Sequence, residues 1–74
     1  MKRARGKYLE TLKRSSPKGK RRRWTNSRRR QLFEEDTQHG DLEKYNKRGM
    51  HEGTVDPQTG EIVKPPVRGR RIEI

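Results

Sequence analysis

Apolar residues arrive singly along most of this chain, and turn-forming clusters stand between them. Downstream of Lys20 the clusters are "TNS" at 25–27, "QHG" at 38–40, "NKRG" at 46–49 and "DPQTG" at 56–60. Spacing of this kind leaves room for strands of roughly four to eight residues and little else. The last cluster is the most specific. Pro57 suits the second position of a type I turn and Gly60 the left-handed residue that follows, which joins Val55 to Ile62 in a hairpin. In the tail "KPPVRGRRIEI" the prolines forbid a central strand until the final residues. Upstream, "KYLETLKR" sets Tyr8 and Leu9 over Leu12 at helical spacing before "SSPKG" stops it, so a helix of at most about two turns is expected. The predicted fold class is α+β, a short N-terminal helix followed by a small twisted antiparallel sheet. Residues 1–18 read as a basic leader or linker carrying that helix, and 19–74 as the domain proper.

A sheet of this size has little to bury. The chain has 74 residues, 23% of them hydrophobic, and a mean hydropathy of -1.59. One thin core is all it can build, and the absence of cysteine excludes both a disulfide framework and a thiolate zinc site. No apolar run approaches the roughly 20 residues that span a bilayer, and "MKRARGKYLETLKR" lacks the apolar centre of a secretory signal. Read alone the chain is expected to be soluble, and its length is equally that of a piece cut from a longer protein.

Charge is distributed unevenly. Residues 1–30 hold fourteen Lys or Arg against one acid, Glu10, whereas 31–74 hold seven against nine, so the halves carry +13 and -2. Blocks such as "KGKRRRW" and "RRR" attract polyanions, and a pI near 10.9 points to nucleic acid. Binding to a membrane is not expected of this domain, since an interfacial helix needs an apolar stripe and the leader offers only Tyr8, Leu9 and Leu12. A merely solvating basic tail is the bland alternative.

Within this basic chain lies an acidic island, "EEDTQHGDLEKY", in which five carboxylates surround His39. If 31–36 is extended, Leu32, Glu34 and Asp36 share one face, and Phe33 and Glu35 the other. In a following strand 41–45, Asp41, Glu43 and Tyr45 oppose Leu42 and Lys44. A hairpin of the two brings Asp36, His39 and Glu43 together, and a core of Trp24, Phe33, Leu42 and Val55 leaves the acidic side open. No metal is expected there, because His39 and His51 show no ligand spacing of the usual kinds, and neither serine nor cysteine chemistry has its motif. Metal-free cleavage of RNA needs only a base, an acid and a cation for the phosphorane, which glutamate, histidine and arginine supply. Neighbouring carboxylates would favour imidazolium at His39, and Asp36 and Asp41 would raise Glu43. A solvated acidic loop that balances the arginines through surface pairs fits the same pattern.

The stretch "GKRRRWTNSRRRQLFEEDTQHGDLEKYNKRGMHEGTVDPQTGEIVKPP" resembles the cytotoxic ribosomal-RNase domain of the E-type colicins and cloacin. That domain also occurs in contact-dependent growth inhibition toxins. The likeness rests on Arg-Trp-Thr, Asp-x-Gln-His-Gly-x-Leu-Glu-x-Tyr and Asp-Pro-x-Thr-Gly in order, from Gly19 to about Pro66; residues 1–18 match nothing in it. The resemblance implies a short helix leading into a highly twisted antiparallel sheet, and a toxin that cuts small-subunit (16S) ribosomal RNA in the decoding site. It places the catalytic positions on Asp36, His39 and Glu43, the active-site aromatic on Tyr45, and the late phosphate-neutralising arginine on Arg70, with Arg68 and Arg71 as competitors. Glu35 replaces a usual aromatic and Lys44 a usual small residue, changes expected to alter only the surface. RNA phosphates would meet Lys20, Arg21, Arg22 and Arg23 among the basic blocks at 18–30, and bases would stack on Trp24 or Tyr45. No cofactor is expected. The implied partners are the ribosome and an acidic immunity protein; the domain itself is expected to be a monomer. It would be delivered on the cell surface or secreted within a larger toxin and act in the cytoplasm of a target bacterium. A transfer-RNA-cleaving toxin of the same chemistry and a non-enzymatic RNA-binding module remain as alternatives.

Overall fold

A computed structural model describes residues 1–17, 19–26 and 28–73. Lys18 of the basic blocks, Ser27 of the "TNS" turn and Ile74 of the tail lie outside the described residues. The chain runs as a six-stranded antiparallel meander: β1 (Lys13–Ser15), β2 (Arg23–Asn26), β3 (Gln31–Asp36), β4 (Asp41–Tyr45), β5 (His51–Val55) and β6 (Ile62–Lys64), each strand paired with its sequence neighbours. A flat six-stranded sheet would be a slab about 24 Å wide and one strand thick. Extents of 25 × 24 × 23 Å require the sheet to coil and the N-terminal segment to lie across it.

The expected α+β class is corrected by this architecture. Where a two-turn helix was expected, only a 3-10 turn forms, Leu9–Thr11, and the chain is extended again by Leu12. Two turns are too short to nucleate alone. The Tyr8 and Leu9 amides donate instead to the carbonyls of Gln58 and Pro57, and Lys13–Ser15 gains ladder bonds by pairing with Thr25–Arg23. Strand pairing and tertiary contact therefore outcompete a marginal helix.

One face of the sheet is dry. Trp24, Phe33, Leu42 and Val55 point into it and are joined by Ala4 and Leu9 from the N-terminal segment, with Tyr8 and Leu12 against them. Phe33, Leu42 and Val55 are fully buried, each stabilising the fold by about 1.5–3 kcal/mol. The segment that reads as a leader thus supplies part of the core. It is stitched down by the Lys2 amide to the Thr37 carbonyl (2.6 Å) and the Leu9 amide to the Pro57 carbonyl (2.9 Å).

Glu35 is not on the surface, contrary to the expectation for this departure from the family pattern. It is buried on the core face, where its carboxylate accepts the Ala4 amide (2.9 Å) and is clasped by the Arg22 guanidinium. The hydrogen bond from Arg22, helped by that amide and the Arg22 charge, holds the Glu35 carboxyl below its usual range against the opposing effect of burial.

The hairpin around Pro57 forms as the sequence predicts. Val55 pairs with Ile62, and Gly60 takes φ 78° with the Gly60 amide donating to the Asp56 carbonyl. A Cβ at Gly60 would stand 2.5 Å from the Tyr8 ring, so the position needs glycine for both conformation and space.

Candidate active site

The face opposite the core carries Glu34, Asp36, Asp41 and Glu43, and the register explains why. Directly paired residues on antiparallel strands point to the same side. Asp36 pairs with Asp41, Glu34 with Glu43, and Glu43 with Thr54, so this row of side chains shares one face. His39 reaches it from the β3–β4 turn, which Asp36 builds. Asp36 Oδ1 accepts the amides of Gln38 (3.0 Å) and His39 (3.4 Å), while Oδ2 lies 2.9 Å from His39 Nδ1. One carboxylate therefore shapes the turn and orients the ring that the turn carries, leaving Nε2 directed away from Asp36. Burial pushes the Asp36 carboxyl up, but hydrogen bonding from the His39 ring and the two amides outweighs it, and the net shift is downward. Asp41 moves the other way: burial raises it, Asp36 repels its charge, and Lys64 only partly compensates.

Glu43 sits at the centre of the face and is almost entirely buried. Its Oε1 receives Nε2 of His51 at 2.7 Å and the Thr54 hydroxyl at 3.0 Å, with Arg70 Nη1 at 3.6 Å. Among the described residues, Oε2 has only the longer contact to the same hydroxyl, 3.2 Å. Three groups thus load one oxygen and leave the other with lone pairs to spare.

In the sequence His51 reads only as a candidate metal ligand, because its contact with Glu43 depends on the register of β5. Strict alternation would send it to the core face, but β4 and β5 slip register after Lys44, so Glu52 is the extra residue of a bulge and His51 comes round beside Tyr45. Gly53 takes φ 138° there, with the Lys64 carbonyl 2.9 Å from where a Cβ would lie. A glycine within a strand pattern, as in "HEGTV", is the signal that finds such a bulge. Nδ1 of His51 accepts the Val67 amide at 2.9 Å, so the ring's single N–H is on Nε2 and is donated to Glu43.

Asp36, His39, Glu43 and Arg70 line one cleft of about 300 Å³ together with Arg21, Gln38, Thr54, Lys64, Pro65 and Val67. Of the three late arginines, Arg70 is the one in this lining; Arg71 is fixed by a backbone bridge to Met50 and Arg68 is exposed. Lys64 and Thr54 had no sequence signal beyond their strands. Tyr45 is buried with its ring edge-on to His51 (centroids 5.2 Å apart); burial raises its pKa and the Arg70 charge opposes that.

Four of the residues expected to meet RNA are engaged within the fold, Tyr45 among them, its ring buried against His51. Trp24 is in the core, flanked by the Arg22 and Arg14 guanidinium groups at 5.0 and 5.6 Å, and has no face to offer a base. Arg22 is spent on Glu35, and Arg23 is buried against Glu34 (3.1 Å) and the Glu73 carbonyl. Lys20 and Arg21 stay exposed, and Arg21 reaches the cleft. No group of three or more His, Asp and Glu side chains has metal-holding geometry among the described residues.

Comparison with known proteins gives the context of this cleft. The family model described as Cytotoxic matches residues 2–73. Colicin E3 of Escherichia coli is 46% identical over 56 residues, covering 74% of this chain and 10% of its own length. Cloacin of Escherichia coli is 43% and Colicin-E6 of Escherichia coli 40% identical over 75 residues, in each case 90% of this chain and 13% or 14% of the relative. The chain therefore spans about a seventh or less of the curated relatives it matches, and it belongs to the Cytotoxic family that it shares with the E-type colicins and cloacin.

Proposed function

We propose that the chain is a toxin endoribonuclease that cuts small-subunit ribosomal RNA in the decoding site by metal-independent transesterification. The observation that carries this reading is the convergence of Asp36, His39, Glu43 and Arg70 on one cleft. Glu43 Oε2 takes the proton of a ribose 2'-hydroxyl, whose oxygen attacks the adjacent phosphorus. The bond from phosphorus to the 5'-oxygen breaks, and His39 as imidazolium gives that oxygen the proton on Nε2 while Asp36 holds Nδ1. Arg70 offsets the charge on the phosphorane. The products are a 2',3'-cyclic phosphate and a 5'-hydroxyl end.

The flanking charge supports the same substrate. Lys64 and Arg21 border the cleft, and the basic half of the chain supplies phosphate contacts, so cleavage is expected to fall steeply with salt. A net charge of +11 also suits an acidic immunity protein whose association is fast and salt-sensitive. Delivery within a larger toxin, for action in the cytoplasm of a competitor, accords with the small share of each relative that the chain spans.

End-group analysis of ribosomal RNA from ribosomes treated in EDTA is the test. A 5'-hydroxyl end is expected, and a 5'-phosphate or loss of cutting on chelation would overturn the scheme. His39→Ala should abolish cutting and leave ribosome binding nearly unchanged. Cuts mapped to transfer RNA would keep the chemistry and change the substrate.

A further inference from the structure

A second cleft, larger than the first at about 580 Å³, lies at the other end of the same sheet face. Thr25 pairs with Leu32 and Leu32 with Tyr45, so these residues stand on the side that carries Glu34 and Glu43, two residues or about 7 Å further along β3. Thr25, Gln31 and Leu32 contribute to its lining, which is predominantly carbon. Arg30, Lys47 and Arg48 make its rim, are exposed, and form no ion pair among the described residues. Two acids stand nearby: Glu52, 3.5 Å from the Gln31 amide, and Glu34, which is paired with Arg23.

Both rim segments are held in place. Asn46 Oδ1 accepts the amides of Arg48 (2.9 Å) and Met50 (3.0 Å), which fixes the β4–β5 turn that presents Lys47 and Arg48. Arg30 is the only non-glycine residue with positive φ, 54°, among the described residues. That conformation costs an arginine about 1–2 kcal/mol, and glycine would take it freely.

We propose that this cleft is a nucleotide subsite for single-stranded RNA that continues from the scissile linkage, a reading that rests on the proposed ribonuclease function. Arg30, Lys47 and Arg48 hold a phosphate, and the attached base lies on the aliphatic surface of Leu32 and Thr25. The cleft is large enough for one nucleotide, its rim complements a polyanion, and it shares a face with the groups that would cut.

The experiment measures binding of a fluorescein-labelled 2'-O-methyl octaribonucleotide, which lacks the attacking hydroxyl, alongside cleavage of ribosomes. Arg30→Gly relieves the strained φ and keeps the fold testable; Lys47→Ala/Arg48→Ala is the second variant. Each should weaken octamer binding roughly 3–10-fold near 0.1 M salt and reduce the salt slope by about 0.7 per cation removed. Arg28→Ala/Arg29→Ala, in the same turn as Arg30 but outside the lining, should do less. The parent should also prefer the octamer to its abasic counterpart.

Unchanged octamer affinity in both cleft variants overturns the subsite, as does an equal loss in the Arg28 and Arg29 control. Weakened binding of poly-L-glutamate with octamer binding unchanged would assign the cleft to an acidic protein instead. If the parent fails to cut ribosomal RNA but the cleft variants still lose the octamer, the catalytic reading falls and the subsite stands. Cutting by the parent with octamer binding untouched in the variants gives the reverse.

Discussion

His51 donates its only ring N–H to Oε1 of Glu43 at 2.7 Å, and the Val67 amide, donating to its other nitrogen, fixes the tautomer that does so. His51 is thereby a positioning residue for the carboxylate, in a pair almost wholly buried. Hydrogen bonds to a charged group contribute about 1.5–3 kcal/mol. His51→Ala should therefore slow single-turnover cleavage about 10–100-fold and lower the urea midpoint, with Thr54→Val giving a smaller loss. His51→Gln, which can restore a donor, should recover part of the rate. Equal activity of His51→Ala and the parent would remove His51 from this role.

Glu35 and Arg22 anchor the N-terminal segment to the sheet at a distance from the cleft. Glu35→Gln should destabilise the fold by about 2–3 kcal/mol at pH 7, less than for a fully buried pair because 22% of the Arg22 side chain is exposed. Activity per folded molecule should be retained. Urea midpoints with parallel cleavage assays separate the two effects.

Acid titration follows from the same carboxyls. The folded-state pKa values of Glu35 and Asp36 are depressed, so their stabilisation is complete above their unfolded values of about 4.3 and 3.9 and is lost as pH falls through the lower folded ones. Asp41 is raised, so its ionised form opposes folding. Asp41→Asn should increase stability at pH 7, with the gain fading as pH drops through the raised value. Midpoints recorded from pH 7 to 3 check both signs.

Much of the sheet was legible because its punctuation is local. Pro57 and Gly60 fix one turn by their own conformational preferences, and alternation through 31–36 correctly separates Phe33 from Asp36. The clustering of Asp36, His39 and Glu43 follows from a short hairpin, so it too could be read. What failed depended on partners distant in sequence. Glu35 looked like a surface acid because its cover, Ala4, lies 31 residues away. Trp24 beside four basic residues looked like a stacking platform, but pairing with Phe33 turns it inward. The β5 bulge, which shifts alternation by one, hid the role of His51.

Trp24 gives a direct optical check, being the only tryptophan. Its emission should resist acrylamide quenching and stay unchanged when RNA binds. Trp24→Phe should cost about 1–2 kcal/mol of stability without weakening RNA binding by the folded protein. Strong quenching by RNA would contradict its place in the core.

Gly60 should tolerate no side chain. Gly60→Ala forces alanine into the left-handed region and its methyl into Tyr8, a combined cost of about 2 kcal/mol. For a domain of this size that corresponds to a fall in Tm of about 10 °C, measurable by circular dichroism.

The stitches from Lys2 to Thr37 and from Leu9 to Pro57 give the molecule a mechanical direction. A tug on Met1 would undo them in succession, like snaps on a cuff, and would bare Phe33, Leu42 and Val55 while the strand ladder was still zipped. Force applied from the front of the chain should therefore open this protein at far lower tension than shear along β3 and β4.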